Sequence, residues 1–234
     1  MKHNNLSETS DQEIKKASVR GGMIEFASKS TSFLIQLIST ITLARLLTPE
    51  DFGLVAMAMS INLFANIFRD LGLSSAAIQK KDLTHDQQTN LFWLNVLVGI
   101  ILTILVALSA PLVSAFYRLP ELHIAVVLMS FSFIIYSTGA QSQAWLYKNL
   151  RFGLSTIISI IGSLFTLIVS ISLAILNYSY LSIIIGTLSG AIVSSALLLC
   201  LSGFIPSWPK RNTGIRPLIN FGANVTVFNF VNYF

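Results

Sequence analysis

Charge is scarce in this sequence. Of 234 residues, 11% are Asp, Glu, Lys or Arg and 53% are hydrophobic, whereas a soluble domain carries about 25% charged residues. That ratio argues against a soluble globular fold. A single cysteine, Cys200, stands in an apolar run, so neither an intrachain disulfide nor a cysteine-based metal site is expected. His3, His85 and His123 have no metal-ligand spacing, and the chain lacks a glycine-rich phosphate loop and a Ser/His/Asp grouping. No enzymatic chemistry, cofactor or metal is therefore anticipated. The net charge of +5 is spread too thinly for a nucleic-acid footprint and reads instead as an asymmetry between loops.

What fills the sequence is long apolar runs. Residues 1–20 are polar throughout and carry no short apolar run with a cleavage site, which reads as a retained tail and not a secretory signal. Beyond them, seven stretches approach the roughly 20 apolar residues that a bilayer-spanning helix needs. They are 22–47, 52–78 with a polar interruption at Arg69 and Asp70, 91–116, 122–146, 152–176, 181–204 and 218–234. Such runs are too long and too continuously apolar for the alternating strands of a membrane barrel. Pro49, Pro120, Pro206, Pro209 and Pro217 fall between them, and Pro111 lies near the end of one, where a kink is tolerated. The expected fold is an all-α polytopic membrane protein. It comprises a polar tail over 1–20, a six-helix transmembrane lobe over 21–204, and a loop with the start of a seventh transmembrane helix over 205–234.

Orientation follows from the basic residues. Lys2, Lys15, Lys16 and Arg20 lie in the tail, Lys80 and Lys81 after the second span, Lys148 and Arg151 after the fourth, and Lys210, Arg211 and Arg216 after the sixth. The opposite set of loops holds Arg118 alone. The positive-inside rule then places the N-terminus in the cytoplasm.

Polar residues inside the spans are the candidate site, because a mid-bilayer charge costs about 2.5–3.5 kcal/mol even on the lenient insertion scale and so faces a cavity or a partner. Glu25, Lys29, Ser32, Gln36 and Thr40 form one stripe at helical spacing. Asn62, Asn66 and Arg69 form a second, with Asp70 one step round the helix. At 1.5 Å per residue, Lys29 stands about 13 Å from Arg20 and Arg69 about 16 Å from Lys80 if the second helix persists, so both stripes reach a similar depth. Each reads either as the lining of a hydrated cavity or as a mutually neutralising network that fixes packing. Ser137 and Gln141 share a face in the fourth span that could join such a cavity. Gly186, Gly190 and Ser194, and the row Ser155, Ser159, Ser163 and Ser170, read as close helix packing. Arg45 is explained by surface pairing with Glu50 and Asp51. A shift of 195 residues superposes Ile219, Phe221, Thr226 and Phe228 on Ile24, Phe26, Thr31 and Phe33, a trace of an internal repeat whose copies would run parallel.

The run ITLARLLTPEDFGLVAMAMSINLFANIFRDLGLSSAAIQKK, from 41 to 81, resembles the signature stretch of bacterial polysaccharide exporters, as does YKNLRFGLSTIISIIG from 147 to 162. These are the O-antigen and colanic-acid type lipid-linked oligosaccharide flippases of the multidrug/oligosaccharidyl-lipid/polysaccharide superfamily. The resemblance implies two six-helix lobes set as a V around a cationic cavity that opens alternately to either side of the bacterial inner membrane. Its substrate would be an undecaprenyl-diphosphate-linked sugar repeat unit. Arg69 and Lys29 would meet diphosphate or sugar-acid charge, while Glu25 and Asp70 would neutralise it or couple protons. Partners implied are membrane lipid, polysaccharide polymerase machinery, and a second lobe or second copy of the chain. Because such proteins are two-lobed, the sequence is expected to represent the N-terminal half. A multidrug-type cation-coupled exporter and a non-transporting assembly subunit are the alternatives.

Overall fold

In a computed structural model, the chain is helical throughout its ordered elements. Backbone is described for residues 2–66, 68–80, 82–211 and 213–233, and side chains within these except at 2–21, 24, 25, 64, 229, 230, 232 and 233. Among the described residues eight helices follow in order: α1 (Lys2–Leu46), α2 (Pro49–Asn66), α3 (Leu73–Gln79), α4 (His85–Tyr117), α5 (Glu121–Lys148), α6 (Phe152–Ile175), α7 (Leu181–Leu201) and α8 (Arg216–Tyr233). No strand occurs among the described residues. Helices α4 to α7 are each long and apolar enough to cross a membrane. The polar tail continues α1 without a break, so residues 2–20 extend the first helix.

Connections of a few residues make sequential helices neighbours. Thus α4 packs along α5 and α6 along α7, while α1 lies on α6, α7 on α5, and α2 on α5. The main core sits where α2, α4, α5 and α7 converge, around Phe133, Val126, Leu122 and Ile184, all buried completely. Ala58, Ala110 and Ala125 at the same level have no bulk to keep the helices apart, which suits a fold whose association rests on close packing in the absence of a water-driven force between helices. Outward-facing Leu, Ile and Phe along α4, such as Leu108, Leu112 and Phe116, remain exposed, as expected of a surface that meets lipid.

The run over 52–78 divides into two helices at its polar interruption, so the second helix does not persist to Lys80. Helix α2 stops at Asn66, and Leu71 and Gly72 take left-handed conformations with φ of 46° and 65° before α3 begins. Two neighbouring chemistries end the helix. Gly72 adopts positive φ without a Cβ penalty, and the Asp70 carboxylate accepts hydrogen bonds from the Ser74 amide at 3.1 Å and the Ser74 hydroxyl at 2.6 Å, giving α3 the acceptor its first amides need. Arg69 therefore belongs to a break and not to a helix face.

Two fastenings close the ends of the bundle. At one, the buried Asp51 carboxylate accepts from the Thr48 amide and hydroxyl, each at 3.0 Å, from the Tyr180 amide at 3.0 Å, and from the Ser179 hydroxyl, which ties the α1–α2 turn to the α6–α7 turn. Burial by itself would raise the Asp51 pKa, but the hydrogen bonds from Ser179, Thr48 and Tyr180 outweigh it and hold the carboxyl below its ordinary value. Its contribution to stability is full above the unfolded pKa and is lost as pH falls through the lower folded pKa. Asp51→Asn is expected to cost about 2 kcal/mol, in the range for hydrogen bonds to a charged group. Thermal unfolding in detergent should separate the two proteins above about pH 5 and bring them together in strong acid; equal melting temperatures at neutral pH would refute the assignment. At the other end, Thr84 caps α4 in a reciprocal box with Gln87, and the Gln87 side chain also donates to Thr213 O at 2.9 Å, holding the long loop before α8 against α4.

Candidate functional site

The break after α2 opens onto a space within the bundle whose lining includes many polar side chains. A cavity of about 580 Å³ lies between it and helices α5, α6 and α7. Hydroxyl-bearing residues line it from several helices: Ser74 and Ser75 of α3, Tyr136 of α5, Ser159, Ser163 and Thr166 of α6, and Thr187, Ser194 and Ser195 of α7. Gln143 adds an amide. Arg69 brings the cationic group, its guanidinium carbon 5.0 Å from the centre of the Tyr136 ring. A guanidinium held over an aromatic face keeps its edge N–H groups available while being oriented. The neighbouring carboxylate is committed elsewhere: besides Ser74, Asp70 Oδ1 accepts from Asn95 Nδ2 at 3.3 Å.

Two further spaces join this one. A second cavity of about 580 Å³ is lined by Asn62, Asn66, Ser132 and Tyr136 together with apolar groups including Met59, Leu63 and Ile184. A third, of about 450 Å³, lies between α1, α2, α6 and α7 and includes Ser32, Gln36, Ser39 and Thr40. Thr187 lines all three, so the spaces converge on the middle of α7.

The residues singled out from the sequence are distributed unevenly. Arg69 and Asp70 meet in the first cavity, and Asn62 and Asn66 stand in the adjoining one, where the Asn62 carbonyl accepts from the Ser132 hydroxyl at 3.3 Å and its amide donates to Ala58 O at 3.4 Å. Gln36 lines the third. Lys29 is exposed on α1 and lines none of the three spaces that Arg69, Asn62 or Gln36 line. Gln141 turns away from the cavity into the α4–α5 interface. It is completely buried there, its backbone carbonyl accepts from Gln88 Nε2 at 3.2 Å, and its side-chain amide has no hydrogen-bond partner among the described residues. Ser137, one helical turn away, also packs against α4, next to Gly99. Glu25 lies outside the residues whose side chains are described.

Several lining residues carried no separate signal in the sequence. Tyr136 and Gln143 flank other polar residues in α5, and Thr187 precedes Ser189 in α7, so none stood out as a site by itself. Ser159, Ser163 and Ser194 were legible, but as packing stripes. They serve both ends, since Gly190 and Gly162 bring α6 and α7 into backbone contact while the hydroxyls beside them face the cavity. Among the described residues, no cluster of His, Cys, Asp and Glu is suited to hold a metal ion.

Comparison with known proteins places these features in context. The family model described as "Polysaccharide biosynthesis protein" matches residues 42–234. The teichuronic acid biosynthesis protein of Bacillus subtilis (strain 168) is 32% identical over 223 residues, covering 90% of this chain and 44% of its own length. A lipopolysaccharide biosynthesis protein of Escherichia coli (strain K12) is 26% identical over 205 residues, 84% of this chain and 40% of its own. A succinoglycan biosynthesis transport protein of Rhizobium meliloti (strain 1021) is 23% identical over 209 residues, 88% of this chain and 42% of its own. The chain thus spans a little under half the length of the curated relatives it matches. No solved structure matches it.

Proposed function

The chain belongs to the polysaccharide biosynthesis protein family, and from that membership we propose that its helices form one lobe of an alternating-access carrier for an undecaprenyl-diphosphate-linked oligosaccharide. In this reading α1 and α2 join α4 to α7 to complete six crossings of the bacterial inner membrane with the N-terminus cytoplasmic, and α8 begins the next set. A second lobe, from further helices or from a second copy, supplies the opposite wall of the pathway. The relative named as a transport protein supports transport over synthesis.

The observation that carries the proposal is the polar part of the first cavity's lining: hydroxyl and amide side chains with the Arg69 guanidinium and the Asp70 carboxylate, set among apolar groups such as Ile78 and Leu198. A sugar taken out of water leaves many hydroxyls in need of partners, and an unpaired buried polar group costs about 1–3 kcal/mol. Serine, threonine and tyrosine hydroxyls both donate and accept, so they can satisfy differing sugar orientations. Arg69 is suited to a phosphate or carboxylate, which it can engage with two parallel N–H bonds. The same positive charge disfavours a lipophilic cation, which weighs against the multidrug alternative.

Binding of a fluorescent undecaprenyl-diphosphate oligosaccharide to the chain in nanodiscs tests the reading directly. Arg69→Ala is expected to weaken it at least tenfold, about the worth of one charge-assisted contact, and Arg69→Lys should restore part of the loss because the charge returns without the planar fork. Failure to bind, or identical affinities for the native chain and Arg69→Ala, would sink the proposal.

A further inference from the structure

The loop between α7 and α8 has two faces of opposite character. Inward, Phe204 is 2% exposed and sits among His85, Phe92 and Trp145, with ring centroids at 5.7, 6.4 and 6.4 Å. Next to it the Trp93 indole donates to Ser207 O at 2.8 Å, and Asn90 both donates to Lys210 O at 2.7 Å and accepts from the Lys210 amide at 3.0 Å. These bonds pin the loop to the first turns of α4. Pro206 and Pro209 fix two of its φ angles, so its outward side chains are presented from a stiff strap.

Outward, the strap is apolar and basic. Ile205 is 76% and Trp208 83% exposed, the latter stacked on Trp93 at 6.1 Å between centroids. Arg211 is exposed beside them, and exposed Arg151 of the α5–α6 turn brings its guanidinium to 3.9 Å from the position a Cβ would take on Gly203. Of the acids at this end, Asp86 is paired with Lys210 at 2.9 Å and Asp82 lies near Lys148. Large apolar tips on a rigid, cationic strap at the end of membrane-crossing helices match one environment: tryptophan favours the headgroup level of a bilayer, and basic side chains there attract anionic lipid.

We propose that this strap is an anionic-lipid site, in which Ile205 and Trp208 enter the headgroup layer and Arg151 and Arg211 engage the phosphates of acidic lipids. The site follows from the loop's geometry and stands whether or not the cavity carries a sugar. By holding the strap at a fixed depth, the lipid also fixes where α8 departs.

The full chain reconstituted in nanodiscs of phosphatidylcholine, with and without phosphatidylglycerol, provides the test. Trp208 emission is read as the difference between the native chain and Trp208→Phe, which leaves Trp93 and Trp145 in place. It is expected to be quenched by lipids brominated near the headgroup and shielded from aqueous iodide. Arg151→Gln and Arg211→Gln are each expected to lower the preference for retained phosphatidylglycerol over phosphatidylcholine about fivefold. Iodide quenching of Trp208 as strong as that of free tryptophan, or an unchanged lipid preference in both glutamine variants, would overturn the proposal.

Discussion

Gly190→Leu is expected to drive α6 and α7 apart and to remove most of the folded protein from detergent extracts. A Cβ built on Gly190 would stand 2.6 Å from the carbonyl oxygen of Gly162 and closer still to the Thr166 hydroxyl. The second of these can rotate away; the first is backbone within a helix and cannot. One turn earlier, a Cβ on Gly186 would meet the Ser170 backbone nitrogen at 3.0 Å in addition to its hydroxyl. The two helices therefore touch main chain to main chain, a contact that only glycine permits at these positions. Overpacking in a well-filled core costs about 1–3 kcal/mol when side chains can give, and a leucine against fixed backbone belongs at or beyond the upper end. Gly153 on α6 has nothing within 4 Å of its Cβ position, so Gly153→Leu serves as the control and should melt within about 1 kcal/mol of the native chain, as surface changes do. Adding Thr166→Ala to Gly190→Leu should recover only a minor part of the loss. Full recovery would show that the hydroxyl, and not the backbone contact, sets the limit.

That contact also explains what the sequence could and could not convey about the site. Glycine and serine at spacing four in α7 identify a close-packed face, and the structure has one. The same spacing is silent about which edge of that face opens, because a serine that lets helices approach and a serine that lines a space are the same residue at the same period. Ser194 does both, contacting Gly162 and facing the cavity. The depth of Arg69 could not be counted from Lys80 at a helical rise per residue, because α2 ends at Asn66 and the break before α3 intervenes. Nor was the lateral position of Lys29 legible, since it depends on how α1 is rotated against α6, and Lys29 remains outside the cavities. The apolar helices α4 to α7 were plain in the sequence because each satisfies its own backbone and asks only for an apolar surround. For α2 the sequence marked a polar interruption at Arg69 and Asp70, but not that the helix ends there. Leu71, Leu73, Ala76, Ala77 and Ile78 keep the hydropathy high across the break, and an apolar run looks the same whether or not its hydrogen-bond ladder is interrupted. Asp70 and Gly72, a capping acceptor and a residue tolerant of positive φ, were the available signs.

Gly72→Ala is the substitution in which that break should show its importance. The residue has φ of 65°, a conformation that costs an L-residue about 1–2 kcal/mol, and a Cβ there would fall 2.9 Å from the Cα of Gly222 and nearer still to its carbonyl oxygen. Gly222, on α8, faces the reverse problem: its Cβ would lie 2.6 Å from Leu71 O. Each glycine is thus required by the backbone of the other, and α8 rests directly on the turn that carries Arg69 and Asp70. Gly222→Ala incurs the collision alone, whereas Gly72→Ala adds the conformational cost, so the second should unfold at the lower temperature, with a gap of about 1–2 kcal/mol between them. The collision itself, against backbone on both sides, is expected to cost about 1–3 kcal/mol in either variant. Helix α3 packs through Leu73, Ala76 and Ala77 against Leu218 of α8 as well as Leu91 and Ala144, so a shift of α8 is transmitted to it. Gly222→Ala is therefore also expected to weaken oligosaccharide binding several-fold, although residue 222 lines none of the cavities, because moving α8 shifts the turn that orients the Arg69 guanidinium over Tyr136. Melting temperature and ligand affinity measured on the same preparations separate the two effects. A Gly222→Ala protein that is destabilised but binds with native affinity would show that the turn keeps its geometry without α8, and that Arg69 is positioned by the Tyr136 ring alone.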